Sequence, residues 1–198
     1  MNFLAHARLS FNHPSIVTGN MISDFVKGRH QYDYPDAIHK GILLHRAIDN
    51  FTDTHAATRQ LKEIFRPQYR LYAGTFADVV YDHFLANDTT EFPGSNELKK
   101  FAAGTYQVLE DNFEVLPAGF KRMLPYMKQQ DWFYMYSTRQ GIQNSFNGLV
   151  RRSRYLLESD GAFELFNRHY PTMQSLYSIF YPDVKKFAAH HLEELLNA

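Results

Sequence analysis

The sequence contains no cysteine. This excludes a disulfide framework, a thiolate nucleophile and a thiolate metal site, so any bound metal would need nitrogen and oxygen ligands. Glycine and proline are also sparse, at 10 and 8 of 198 residues, and no low-complexity tract, linker or repeat divides the chain. We therefore expect a single domain over residues 1–198.

Neither sign of charge is in excess, and long apolar runs are missing. Lys and Arg together number 21, as do Asp and Glu, so no general attraction to nucleic acid follows. No window approaches the roughly 20 apolar residues that span a bilayer. The first residues, MNFLAHARLSF, lack a basic leader and a long apolar stretch. The sequence predicts a soluble, cytoplasmic protein that binds neither nucleic acid nor membranes, and it leaves the oligomeric state open.

Aromatic residues and helical periodicity are abundant. The chain has 17 Phe and 13 Tyr, and 44% of its residues are hydrophobic, which is typical of a globular protein with an aromatic core. Apolar spacing and proline positions predict an all-α, compact bundle of eight to ten helices. The predicted helices span residues 14–27, 35–52, 70–87, 95–113, one from 117, 138–159, 162–179 and 182–196.

Two of these helices place acidic and imidazole groups on their apolar faces. At 100° per residue, Ile38, Ile42, His45, Asp49 and Asp53 fall within an arc of about 80°. Asp78 and Asp82 likewise share an arc of about 60° with Leu71 and Leu85. An Asp-x-x-x-Asp pair alone is usually solvated, and a lone histidine is usually a core residue. Because ionisable groups lie among apolar residues on both helices, a site shared by the two helices is favoured.

Buried carboxylates need compensating cations, because isolating one from water costs several kcal/mol. Arg46 is the single cationic side chain near either arc, so a divalent metal is favoured over salt bridges. Asp24 and His6 can approach from the preceding segments. Oxygen ligands mixed with imidazole suit Mn²⁺, and also Mg²⁺ or Fe²⁺. The predicted ligand set is His6, Asp24, His45, Asp49, Asp78 and Asp82.

Five segments in this order resemble the acyl carrier protein phosphodiesterase family: MNFLAH, GNMISDF, GILLHRAIDNFTD, DVVYDHFL and GIQNSFNG. The resemblance implies hydrolysis of holo-acyl carrier protein to apo-acyl carrier protein and 4′-phosphopantetheine. It also implies a fold distantly similar to HD-domain phosphohydrolases, here in a distorted form. Ordinary HD domains carry an adjacent His-Asp pair, whereas this chain has Asp82 followed by His83.

These expectations suggest a reaction in which a metal activates water for attack on phosphorus. His83 or His45 would donate a proton to the departing serine oxygen, since imidazole titrates near neutral pH. Arg46 would screen the phosphate oxygens. The predicted catalytic residues are thus His45, Arg46 and His83.

The segment around GIQNSFNG suggests how substrate is held. Arg151, Arg152 and Arg154 form a basic run suited to an acidic carrier protein, although a solvated helix face explains them equally well. Gln143 and Asn147 lie four residues apart and could bind the amides of the pantetheine arm, or act as caps.

Two rival interpretations stay open. One keeps the metal site but gives it a nucleotide or another small phosphate ester, as in HD-type enzymes. The other is a metal-free helical interaction module whose aspartates are simply hydrated. A P-loop enzyme is disfavoured because the chain has no Gly-rich phosphate loop. A di-iron bundle is disfavoured because its Glu-x-x-His pattern is absent from the predicted helices.

Overall fold

The computed structural model describes the whole chain, Met1 to Ala198, and it contains helices and turns but no strand. The predicted all-α class is confirmed. There are eleven α-helices instead of eight to ten, because the chain also forms a single four-residue turn of helix at Trp132. The helices are α1 (Phe3–Arg8), α2 (Pro14–Ile22), α3 (Asp36–Thr54), α4 (Ala56–Tyr69), α5 (Ala73–Ala86), α6 (Ser95–Asp111), α7 (Ala118–Gln129), α8 (Trp132–Met135), α9 (Arg139–Arg152), α10 (Asp160–Arg168) and α11 (Tyr170–Asn197).

Prolines mark several helix starts as predicted, but three predicted boundaries are wrong. Helix α9 stops at Arg152 instead of 159, because the hydroxyl of Ser153 accepts the backbone N–H groups of Tyr155 and Leu156 and turns the chain. The predicted helix 162–179 is broken at His169, two residues before Pro171. Helix α11 then continues through Pro182 to its end, where the sequence suggested a new helix.

Helix α5 lies at the centre of the molecule. Eleven of its 14 residues are buried, and it packs against α1, α4, α9 and α11. Its aromatic side chains join one continuous apolar cluster with those of neighbouring helices, as in the edge-to-face pair of Phe76 and Phe146. Because most of α5 is buried, its buried polar residues must find partners inside the protein. None of the helices combines the length and hydropathy needed to cross a bilayer.

Helices α2 and α3 touch through their backbones. A Cβ atom on Gly19 would lie 1.9 Å from the carbonyl oxygen of Ile38 and 2.9 Å from the Cα atom of Gly41. Only glycine allows this approach. The contact brings Asn20 of α2 next to His45 of α3, and it thereby positions one edge of the candidate site.

We expect the substitution Gly19→Ala to destabilise the protein by about 1–3 kcal/mol, because the added methyl group forces two helix backbones apart. Chemical denaturation of the purified variant measures this change. Gly104→Ala is the matched control, since Gly104 lies inside α6, where an added Cβ would have no neighbour within 4 Å, and the change should be neutral or mildly stabilising. Equal stability of the two variants would contradict the expectation.

Candidate metal centre

Two histidines and one aspartate converge where α1, α2 and α3 meet. The Nε2 atoms of His6 and His45 lie 3.1 Å from the Oδ1 and Oδ2 atoms of Asp49, respectively. The two imidazole rings stack with centroids 3.9 Å apart. One donor atom from each of the three residues lies within 4.8 Å of the others, a spacing at which a single ion can be bound. His6 and His45 are buried, whereas the side chain of Asp49 is 41% exposed.

Asn20 orients both imidazoles. Its Nδ2 group donates to the His6 carbonyl oxygen and to the Ser10 hydroxyl, so its carboxamide oxygen must face the other way. That oxygen accepts from His6 Nδ1 at 2.8 Å, and the Asn20 carbonyl oxygen accepts from His45 Nδ1 at 2.8 Å. Both rings are therefore held with protonated Nδ1 atoms, as metal-binding histidines usually are.

Each imidazole thus faces an oxygen of Asn20 at Nδ1 and an oxygen of Asp49 at Nε2. If both rings were protonated, two charges about 4 Å apart would repel by about 4 kcal/mol at an effective dielectric constant of about 20. Burial and the charge of His45 lower the pKa of His6 to about 4, so its neutral Nε2 faces a carboxylate oxygen. The buried Nε2 of His45 has no hydrogen bond of good geometry, despite its distance from Asp49. A shared cation placed among these atoms would satisfy all of them.

Protonation at Nε2 is favourable for only one of the two rings, that of His45. Burial disfavours the His45 cation, but the carboxylates of Asp24 and Asp49 outweigh burial and raise the pKa of His45 to about 9. Asp24 contributes from the 3₁₀ turn after α2, with Oδ1 3.4 Å from His45 Nε2 and a side chain that is 68% exposed. The four residues thus present two imidazole nitrogens and two carboxylates, which are donors that divalent metals accept.

The α-amino group of Met1 lies beside this cluster. It is buried 3.1 Å from the Asp78 carboxylate and 3.6 Å from that of Asp49. Burial alone would lower its pKa, but the two aspartates raise the pKa of the amine to about 10. This charge belongs to the chain terminus, so a count of side-chain cations near the aspartates misses it. The carboxylate of Asp78 contacts the Met1 amine, which in turn contacts Asp49, and it is not among the groups that converge with the histidines.

Asp82 has a different set of partners from the one expected of a metal ligand. Its buried carboxylate accepts backbone N–H groups from Asn2, Leu4 and Ala5, at 3.3, 2.8 and 3.3 Å. Burial raises the pKa of Asp82 to about 7, although these bonds oppose the shift. The first turn of a helix has free N–H groups that attract an anion. Asp82 therefore anchors α1, and with it His6.

His83 and Arg46, both predicted to be catalytic, are engaged elsewhere. His83 is buried among aromatic rings, with Nδ1 2.7 Å from the Tyr136 carbonyl oxygen and Nε2 3.0 Å from the Tyr170 hydroxyl. Both ring nitrogens are occupied, so we assign His83 a packing role instead of proton donation. The Arg46 guanidinium donates to the side chain of Gln31 and the carbonyl of Val26, and so holds the loop before α3.

A cavity of about 790 Å³ opens between the start of α1 and helices α7, α8 and α9. Three of the predicted substrate-binding residues line it, namely Asn147, Arg151 and Arg152. Gln143 and Arg154 do not. Arg154 is exposed and stacks on Tyr155. Arg122 and Trp132 join the cavity from α7 and α8, and sequence patterns did not indicate them because neither belongs to a recognisable motif.

Comparison with known proteins agrees with the segments noted in the sequence. A family model described as acyl carrier protein phosphodiesterase matches residues 1–184. Curated proteins of that name from Yersinia pestis, Klebsiella pneumoniae (strain 342) and Salmonella dublin are 30%, 32% and 33% identical to the chain. The alignments cover 96%, 95% and 96% of this chain and 98%, 97% and 98% of the three relatives. No solved structure matches, so the likeness to HD domains stays a prediction.

Proposed function

Because this chain belongs to the acyl carrier protein phosphodiesterase family, we propose that it hydrolyses holo-acyl carrier protein to apo-acyl carrier protein and 4′-phosphopantetheine. We further propose that it does so with a divalent metal ion, Mn²⁺ in the first instance. The relatives' names supply the reaction class. The metal dependence and the products are what the proposal adds.

One observation carries the metal part: the Nε2 atoms of His6 and His45 face the two carboxylate oxygens of Asp49, and Asn20 occupies both Nδ1 atoms. With His45 protonated, the Nε2 lone pair of His6 still faces a carboxylate oxygen and the Nε2 atom of His45 still lacks a hydrogen bond, and a divalent cation among these atoms would satisfy both. Two imidazoles and one carboxylate form a donor set that Mn²⁺ and Fe²⁺ favour, and Asp24 adds a second carboxylate. Mg²⁺ also binds carboxylates, but it prefers oxygen to nitrogen.

The chain's own residues would divide the work as follows. His6, His45 and Asp49 hold the ion, and Asn20 fixes the tautomer and ring plane of both histidines. A bound divalent ion supplies Lewis-acid activation of water and of the phosphate group. Asp82 fixes the α1 backbone that carries His6, and the Met1 amine balances the charge of Asp78. The 41% exposure of Asp49 leaves this centre open to a substrate approaching from solvent.

The direct test is mass spectrometry of holo-acyl carrier protein after incubation with the purified protein and Mn²⁺. The carrier protein should lose the mass of 4′-phosphopantetheine, and an unchanged mass would refute the reaction. Chelation by EDTA should stop turnover and added Mn²⁺ should restore it. Full activity in EDTA would contradict metal dependence, and preferential hydrolysis in a panel of nucleotides would favour the small-phosphate interpretation.

The basic residues at the end of α9 complete the proposal. Arg151 and Arg152 are exposed and line the cavity. Arg154, two residues after the end of α9, is also exposed. Acyl carrier proteins are acidic, so opposite charge would steer the substrate toward this face. We propose Arg151, Arg152 and Arg154 as the docking contacts.

Reversing all three charges with R151E, R152E and R154E should raise KM for the carrier protein about tenfold or more, because electrostatic steering then becomes repulsion. The value of kcat should change little, since none of the three residues touches the metal centre. Steady-state kinetics at low and high salt measures both parameters. Arg59→Glu, an exposed change on α4, serves as the control. A KM equal to that of the control would remove these residues from the docking surface.

A further inference from the structure

The cavity beside α7, α8 and α9 has the size of a small-molecule site. Its volume of about 790 Å³ lies within the range of about 300–1,000 Å³ that such sites occupy. Seven of its 18 lining residues are hydrophobic, among them Phe3 and Trp132. The rest are mostly carboxamides, arginines and glycines. This mixture suits a ligand with both apolar and amide groups.

Two separate chains of contact connect the cavity to the metal centre. Asn2 lines the cavity, and its neighbour Met1 places its amine 3.6 Å from Asp49. On another wall, Gly119 packs so closely on Phe25 that a Cβ atom would lie 2.8 Å from the ring. Phe25 follows Asp24, whose carboxylate lies 3.4 Å from His45 Nε2. The cavity lining thus adjoins residues of the centre at two places, although none of the proposed ligands itself lines the cavity.

Three carboxamides on the cavity wall have their oxygens occupied. The side-chain oxygen of Gln130 accepts from the Trp132 indole, that of Asn147 from the Ser159 hydroxyl, and that of Asn144 from Gln140. Their NH₂ groups make no hydrogen bond within the protein, so the cavity offers amide donors without matching acceptors. A ligand rich in carbonyl oxygens would satisfy them.

We infer that this cavity binds the pantetheine arm of the substrate, with its phosphate at the metal centre and its two amide carbonyls toward the NH₂ groups of Gln130, Asn144 and Asn147. The inference rests on the proposed function, since it takes the arm from that substrate. The apolar walls contributed by Phe3 and Trp132 would then cover the methyl groups and methylene chain of the arm.

Gly148 offers a way to fill the cavity without disturbing the fold. It lines the cavity from α9, and a Cβ atom there would meet only the tip of the Arg152 side chain, at 3.8 Å. Gly148→Leu would thus project a side chain into the space proposed for the arm. Gly104→Leu is the matched control, because Gly104 is also inside a helix, is exposed and lies outside the cavity.

Binding is read from Trp132, the single tryptophan of the chain. Titration with 4′-phosphopantetheine in Mg²⁺ buffer should change its emission saturably in the wild type and in Gly104→Leu. The apparent Kd should rise about tenfold or more in Gly148→Leu. No saturable change in the wild type up to millimolar ligand, or equal Kd values in the two variants, would overturn the inference.

Kinetics separates this inference from the proposed function. With Gly148→Leu, kcat/KM for holo-acyl carrier protein should fall about tenfold relative to Gly104→Leu, while the content of bound Mn²⁺ should be the same in the two variants. Turnover of the carrier protein that is equal in both variants would place the arm elsewhere and leave the reaction standing. If the wild type does not cleave the carrier protein at all, the proposed function fails, and the fluorescence titration still decides whether the cavity binds the arm.

Discussion

Asp49→Asn is expected to lower turnover of holo-acyl carrier protein at least a hundredfold. The carboxylate faces both imidazoles, and the amide that replaces it presents one neutral oxygen where two charged ones stood. Lewis-acid activation contributes several kcal/mol to such reactions, and each ~1.4 kcal/mol lost is a factor of ten in rate. Mass spectrometry of the carrier protein gives the rate, and elemental analysis of the purified variant should show a parallel loss of bound Mn²⁺.

The matched control for this change is Asp53→Asn, one turn further along α3. Asp53 is exposed and pairs with Lys62 at 2.7 Å, away from the histidines. It should keep nearly all activity and metal, and circular dichroism should show both variants folded. Wild-type turnover in folded Asp49→Asn would exclude Asp49 from the reaction, and loss of turnover with full metal content would give it a role other than binding the ion.

Asp82→Ala is expected to lower the free energy of unfolding by about 3 kcal/mol or more. The substitution leaves three backbone N–H groups at the start of α1 without their shared acceptor, and each orphaned donor costs ~1–3 kcal/mol. Relief from burying a carboxylate offsets part of this loss. Urea denaturation measures the change. Activity should fall as well, because α1 carries His6.

Comparison with Asp49→Asn separates a structural aspartate from the proposed metal ligand. In EDTA, Asp49→Asn should lose less stability than Asp82→Ala, since it removes a partly solvated partner of His45 and the Met1 amine but leaves no backbone N–H group of α1 without an acceptor. Asp82→Ala should unfold earlier in EDTA and in Mn²⁺ alike. If Asp82→Ala matched the wild type in EDTA but lost the stabilisation that Mn²⁺ confers, Asp82 would be a ligand after all.

Helical periodicity located part of the site because it reports which face of a helix is buried. It placed His45 and Asp49 together on α3, and the structure shows both turned toward His6. Periodicity also put Asp78 and Asp82 on an inward face of α5. A helical wheel gives the direction of a side chain but not its partner. Asp82 does point inward, yet its partners are backbone N–H groups of another helix.

The features that sequence analysis missed depend on tertiary contacts, which leave no pattern in neighbouring residues. The Met1 amine carries a charge that no side-chain count includes, and it reaches Asp78 only because α1 packs on α5. The proton-donor role predicted for His83 rested on the titration range of imidazole, which says nothing of the tertiary contacts to Tyr136 and Tyr170 that occupy both ring nitrogens. The cavity is made by segments more than 100 residues apart in the chain, so no window of sequence could show it.

The backbone contact between Gly19 and Gly41 limits how this centre can be altered. Asn20, which sets the tautomers, directly follows one of these glycines, and His45 lies one turn after the other. No side chain lies between the two helices at the crossing, so there is none whose repacking could absorb a change in their spacing. A change in spacing there would move Asn20 relative to His45, which is hydrogen-bonded to it. Efforts to retune ion preference should therefore begin at solvent-facing Asp24, where the donor can be varied while the crossing stays intact.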